Sequence, residues 1–517
     1  MLVRKTVLLA CLALLISLGT VGAQQDRLIT IAFEGGAVTM DPHKRQETTT
    51  LAWQQHVYEY LIRLSREGEL VPELATSWEA EGENTWVITL REGVSWHDGS
   101  PFTAEDVVGS LTRAKTHPES QMAQFLTAMR EAVATDANTV EIHTDTPDPL
   151  LPLKLAQVLV ANPDYAEEVG DDRMANEPIG TGPYRAVSYT TDDSLTLEAF
   201  EDYWGEQPEF RRVRLVNIPA GATRLSALLT GDVDIAEKIL PQDFERVERS
   251  PDAYITMAPS TRVIYLTMNF ACRENCPASG LPGGVNPFVD PTVRQAVAHA
   301  INVDAIIERV MGGVVTPATQ YISPIDYLYD PLIERFDYNP ERARELLAAA
   351  GYENGFRIRL DAPNDRYLND ALVAQAIGGM LGAVGIEVEV NATTRTVFFP
   401  LIDEGEFMMY LAGWGSPDVV STFNNMIHTR DPEAGFGRLN RYFYANPEMD
   451  ALITEVNAEF DEARRIELIH EINRHTLTED VVWIPLYVES VIAGVRSDID
   501  FEANPQEYIL AFELQSR

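Results

Sequence analysis

The chain has 517 residues, 45% hydrophobic and 23% charged, the balance of a globular protein of about three domains. Acidic residues number 79 against 40 basic ones, a net charge of −39. That field repels phosphate backbones and anionic lipid headgroups, which argues against nucleic-acid partners and stable membrane association. Arginine supplies most of the positive charge, since lysine occurs only at Lys5, Lys44, Lys115, Lys154 and Lys238. A salty habitat and a GC-rich coding bias would each produce that composition.

In chain order, Arg4 and Lys5 precede the apolar run VLLACLALLISL and then small residues ending in Val21 and Ala23. This is the pattern of a cleaved secretory signal over residues 1–23, too short for a comfortable membrane span. Cys11 sits early in the apolar run and reads as part of the signal rather than a lipidation site. RLITIAF has the alternation of a strand and is followed by FEGGAV. There Gly36 either brings backbone donors to a ligand or simply makes a turn. NTWVITLREGV is a second strand, and Trp86, Val94, Trp96 and Phe102 surround turn signals as expected core residues. TAEDVVGSLTRA begins a helix with a Thr103/Asp106 capping box.

Cys272 and Cys276, in ACRENCPASG, are the only cysteines after the signal. In an oxidising compartment a local disulfide is expected, with free thiols as the alternative. DPTVRQAVAHAI and NPERARELLAAAGY are helices capped by Asp290 and Asn339, each with proline at the first helical position. LNDALVAQAIGGMLGAVGIEVEV reads as helix, glycine stop and strand, half of a β-α-β unit. A further helical stretch follows NPEMDAL, and VVWIPLYVES closes the pattern as a strand. The class is α/β.

No catalytic constellation emerges. His470 and His475 of HEINRH are five apart and diverge by about 140° on a helix, so they do not reproduce a zinc-protease pair. Neither a G-x-S-x-G elbow nor a nucleotide-binding glycine loop occurs. Paired carboxylates are plentiful in so acidic a chain, so glycosidase chemistry stays open but without support; a non-enzymatic protein without a cofactor or metal is expected, an exported hydrolase being the remote alternative.

Several segments together resemble one family. They are MDPHKRQETTTLAWQQHVYEYLIR; GELVPELATSWEAEGENTWVITLREGVSWHDGSPFTAEDVVGSL; PIGTGPY; DYWG; LLTGDVDI; PFVDPTVRQAVAHAIN; and YANPEMDALI. Their order, from Asp41 to Leu486, is similar to that of the large extracytoplasmic solute-binding proteins, family 5, of the dipeptide, oligopeptide and nickel ABC importers. The resemblance implies an α/β, two-lobed clamp of the type II periplasmic-binding-protein kind, with an additional domain inserted in the first lobe. Domain I would comprise residues 24–41, 177–265 and 483–517, the inserted domain II residues 42–176, and domain III, the second lobe, residues 266–482. It further implies a monomeric periplasmic protein that captures a di- or oligopeptide by hinge closure and passes it to ABC permease subunits. A nickel chelate, an oligosaccharide or a small organic acid is the alternative ligand.

The resemblance also nominates binding residues. Pro363 to Arg366 resembles the P-x-x-R segment in which dipeptide binders place a carboxylate-binding arginine, and the guanidinium offers a bidentate fork for that role. The competing reading pairs Arg366 with Asp365 or Asp370. Asn364 and Tyr367 lie on the same loop. In YLAGWGSPDVVSTF, Trp414 is the candidate apolar wall and Asp418 the candidate partner of a peptide ammonium. Here the aspartate follows Trp by four residues, behind Pro417, where peptide binders have three. His428, an isolated histidine, is the one pointer toward a metal chelate.

Overall fold

The computed structural model describes residues 27–66, 68–271, 286–415 and 418–517. The expected signal at residues 1–23, and both Cys272 and Cys276, lie outside them. The chain forms two compact units. Unit 1 takes the residues up to Ser65, Glu69–Ala258 and Val491–Arg517; unit 2 takes Pro259–Ser490 together with Arg66–Gly68. The chain runs from one unit to the other along two strands, Ala253–Met268 and Trp483–Arg496.

Unit 1 is built on a mixed sheet. Strand Leu28–Phe33 has parallel neighbours on both sides, Ile31 standing opposite Leu215 of Arg212–Asn217 and Ile235 of Ile235–Glu237. Its run LITIAF is apolar nearly throughout, as befits a strand in the middle of a covered sheet. Antiparallel strands extend the sheet: Ser194–Ala199 and Tyr184–Thr190 on one side, residues 493–495 on the other. A second, antiparallel sheet lies within the same unit, in the order Ala75–Ala80, Thr85–Leu90, Thr139–Thr144, Met129–Asp136. Helix Ala104–Thr116 begins at the expected capping residues, the Thr103 N–H donating to Asp106 Oδ2 at 2.7 Å. Trp86, Val94, Trp96 and Phe102 are all buried in the core of this region.

Unit 2 contains the expected β-α-β pattern. Strand Phe356–Pro363 leads through helix Asp370–Gly382 into strand Ile386–Thr393, its parallel neighbour, with Leu360 opposite Val390. Helix Arg395–Asp403 then leads to strand Met409–Gly415, parallel to Phe356–Pro363 on the other side, with Leu360 opposite Met409. Residues 262–268 pair antiparallel with Met409–Gly415, Tyr265 opposite Ala412. Helix Pro291–Ala300 starts at Asp290, whose carboxylate accepts the Thr292 N–H at 2.8 Å; helix Pro340–Ala349 starts at Asn339, which accepts from Arg342 N at 2.9 Å. Each cap satisfies an amide that the first helical turn leaves unpaired. Val293, Val297, Ile358, Leu360, Ile377 and Leu411 share the core between helices and sheet.

The two histidines of HEINRH part company. His470 meets the Leu328 carbonyl at 3.3 Å, while His475 Nε2 lies 3.3 Å from Asp480 Oδ2. Among the described residues no three His, Cys, Asp or Glu side chains are grouped to hold a metal ion, and no helix is long and apolar enough to cross a membrane.

Candidate ligand-binding site

In open α/β sheets the loops that leave the carboxyl ends of parallel strands are the usual place for a ligand, because those loops, unlike the strands, are free to vary. In unit 2 two such neighbouring ends carry the sequence candidates. Phe356–Pro363 runs into the loop Asn364–Asn369, and Met409–Gly415 ends with Trp414. The structure joins the two, since the Tyr367 hydroxyl donates to the Gly413 carbonyl at 3.1 Å. Gly413 makes the approach possible. A Cβ there would stand 2.6 Å from Ile264 Cδ1 and 2.7 Å from Tyr367 Cε1. Tyr367 is 8% exposed and belongs to the core, so it fastens the loop rather than presenting itself to a solute.

The carboxylates beside Arg366 are already engaged. Asp370, buried, accepts the N–H groups of Arg366 and Tyr367 on Oδ2, at 3.0 and 3.1 Å, and that of Ala371 on Oδ1. Asp365 accepts the Arg395 N–H at 2.6 Å. Arg366 therefore pairs with neither. Its guanidinium lies 5.3 Å from the Tyr367 ring centroid, and it makes no ion pair among the described residues. Asn364 is exposed and ties the loop to the adjoining strand end through the Ala392 carbonyl at 3.3 Å. The result is a fastened loop whose half-buried arginine head is uncommitted.

Trp414 is half-buried. Its Nε1–H donates to Thr422 Oγ1 at 2.9 Å, which fixes the ring and leaves its faces for apolar contact. Asp418, 6% exposed, caps the short helix Val419–Thr422, accepting the Ser421 N–H at 2.6 Å and the Ser421 hydroxyl at 2.7 Å. Its charge is felt by Asp326, whose carboxyl is pushed up to about 6 chiefly by burial, opposed by the Leu328 amide, with Asp418 as the smallest of the three influences. A cation arriving there would relieve that repulsion.

Gly36 belongs to unit 1. It is buried, its N–H donates to Asp192 Oδ1 at 3.0 Å, and a Cβ would lie 2.7 Å from the Asp192 backbone. Its missing side chain accommodates a neighbouring chain segment, and its amide is already used. His428 stacks on Phe436, centroids 4.2 Å apart, and its Nδ1 lies 2.7 Å from the Thr429 carbonyl, the arrangement of a packed structural histidine.

Two residues that sequence reasoning passed over adjoin the arginine loop. Glu489 Oε1 accepts the Leu368 N–H at 2.8 Å, and Glu489 Oε2 lies 3.7 Å from Arg262 Nε. Nothing local marks either one, because each acquires its role from strands distant in sequence.

Residues 69–433 match the family described as bacterial extracellular solute-binding proteins, family 5 Middle. The glutathione-binding protein GsiB of Pectobacterium atrosepticum is 27% identical over 492 residues, spanning 92% of this chain and 90% of its own. Among solved structures, the periplasmic binding protein DppA from Helicobacter pylori, in complex with the peptide STSA, is similar at a TM-score of 0.79 and 22% identity, over 95% of this chain and 98% of its own. NikA from Staphylococcus aureus, in complex with Ni(L-His)2, is similar at 0.77 and 20%, over 95% of this chain and 100% of its own.

Proposed function

Since the chain belongs to family 5 of the bacterial extracellular solute-binding proteins, we propose that it captures a di- or oligopeptide outside the cytoplasm, by hinge closure, and delivers it to an ABC permease. In this reading an N-terminal signal is cleaved and the protein binds its solute without transforming it. Arg366 receives the peptide α-carboxylate, Trp414 walls a side-chain pocket, and Asp418 meets a positive group. The observation that carries the reading is the Arg366 guanidinium. Both neighbouring carboxylates serve backbone amides, so the arginine remains available for a carboxylate from outside. A charge-assisted, bidentate contact of that kind is the strong form of anion recognition.

Asp418 already holds a helix start, which makes the carboxylate end the firmer anchor of the two. The names of the relatives widen the chemistry without leaving it. Glutathione is a tripeptide with free carboxylates, and the histidines of Ni(L-His)2 bring carboxylates of their own, so each presents the group that an arginine fork takes.

The test is thermal shift of the protein against Met-Leu, glutathione and their carboxyl-amidated forms, with and without Arg366→Met. Ligand at a hundred times its Kd stabilises the native state by about 2.7 kcal/mol. Free acids should raise the melting temperature, amidated ones should not, and Arg366→Met should abolish the difference. Equal stabilisation by acid and amide would overturn the arginine assignment. If neither shifts the melt, the peptide reading is lost and the search moves to chelates, sugars and small organic acids.

A further inference from the structure

Among the anchors of the loop that carries Arg366 is a side-chain carboxylate from a strand distant in sequence. Asp370 holds the amides of Arg366 and Tyr367, and Gly413 holds the Tyr367 hydroxyl, but the Leu368 amide reaches Glu489, on the strand Trp483–Arg496. That carboxylate faces a second partner. Arg262, on the strand Ala253–Met268, lies 3.7 Å away, and both side chains are largely buried, 10% and 16% exposed. Arg262 stands opposite Gly415 in the strand register, and a Cβ at Gly415 would come within 3.6 Å of its guanidinium carbon. The arginine is thus held beside the strand end that carries Trp414.

We infer that Glu489, oriented by Arg262, is a positioning residue that sets the loop carrying the Arg366 anchor. The inference rests on the proposed role of Arg366 and deepens it. Arg262 and Glu489 sit on the two strands Ala253–Met268 and Trp483–Arg496, close to the limits Pro259–Ser490 of unit 2. One carboxylate therefore fastens both connecting strands and the ligand loop within unit 2. A hydrogen bond accepted by a carboxylate is stronger than one between neutral groups, and a neighbouring cation fixes the direction of that carboxylate. Removing Arg262 should accordingly loosen the Leu368 amide, although no contact of Arg262 with that amide is needed.

The decisive measurement is hydrogen exchange of the Leu368 amide in the ligand-free protein, compared with amides of the strand Phe356–Pro363. It covers wild type, Arg262→Met, Arg262→Lys, Glu489→Ala and the double variant Arg262→Met/Glu489→Ala. Glu489→Ala and Arg262→Met should each accelerate Leu368 exchange by about tenfold relative to the strand, as for a lost charge-assisted bond. Arg262→Lys should restore most of the protection. The double variant should exchange no faster than Glu489→Ala alone, because both changes act through the same contact. Additive acceleration, an unchanged Leu368 amide, or equal acceleration along the whole strand would overturn the inference. The outcome does not depend on any solute, so failure of wild type to bind Met-Leu or glutathione counts against the proposed function and not against this positioning role.

Discussion

Replacing His56 by glutamine removes an imidazole that the fold of unit 1 keeps neutral. The residue is fully buried. Its Nε2 accepts the Ala511 N–H at 3.0 Å, which leaves the ring proton on Nδ1, 3.3 Å from the Trp53 carbonyl. Burial holds its pKa down at about 4, partly offset by the Trp53 and Ala52 carbonyls. An imidazole in the unfolded chain takes up its proton near pH 6.5. Between pH 6.5 and about 4 the unfolded state therefore binds the proton and the folded state does not, so stability is lost as pH falls through that window. At about 1.4 kcal/mol per pKa unit the loss reaches about 3 kcal/mol by pH 4 and is complete only below it.

Glutamine keeps an acceptor and a donor but forfeits the ring packed between Tyr184 and Phe512, for a penalty of about 1–2 kcal/mol at pH 8. It has no proton to gain. His56→Gln should thus be less stable than the parent at pH 8, draw level near pH 5 and exceed it near pH 4. Urea unfolding, read by hydrogen exchange of unit 1 peptides at each pH, measures the difference. His43 and His97, also held near 4 by burial, are common to both proteins and cancel. Parallel pH profiles would refute the reasoning.

Glu59 and Glu73 titrate in the opposite sense. Burial favours their protonated forms, and Glu59 accepts hydrogen bonds from the Tyr203 hydroxyl and Trp204 Nε1, both at 3.0 Å. Their folded pKa values lie above the unfolded ones, so stability declines as pH rises from about 4.5 toward 8. Glu59→Gln should flatten that decline and melt above the parent at pH 8; an undiminished decline would count against the assignment. Gly413→Ala forces a methyl against Ile264 and Tyr367, and overpacking of this kind costs about 1–3 kcal/mol. Its urea midpoint should fall, and an unchanged midpoint would show that the loop yields freely. With a net charge of −39, salt should raise the melting temperature by screening self-repulsion, and a melt identical at low and high ionic strength would dismiss that effect.

Local grammar made much of the fold legible. The starts of the helices at Thr103, Asp290 and Asn339 follow from side chains reaching amides two or three residues ahead, a geometry that needs no distant partner. Trp96 and Phe102 read as core from their apolar character around a turn, and they pack edge to face at 5.7 Å. The candidate binding residues were legible as segments of the chain, and their contacts were not. Tyr367 and Gly36 were among the candidates, yet the hydroxyl of one is spent on Gly413 and the amide of the other on Asp192.

What the sequence by itself determined is therefore the α/β class, the helix boundaries and the segment holding the arginine, all of which depend on neighbours along the chain. Only the tertiary structure decided which polar groups remain available. Asp365 is taken by an amide at Arg395, and Leu368 reaches a carboxylate at Glu489 that Arg262 orients. Those partners are brought together by strand register, and whether a charged group stays open to a solute depends on every partner that the register delivers to it.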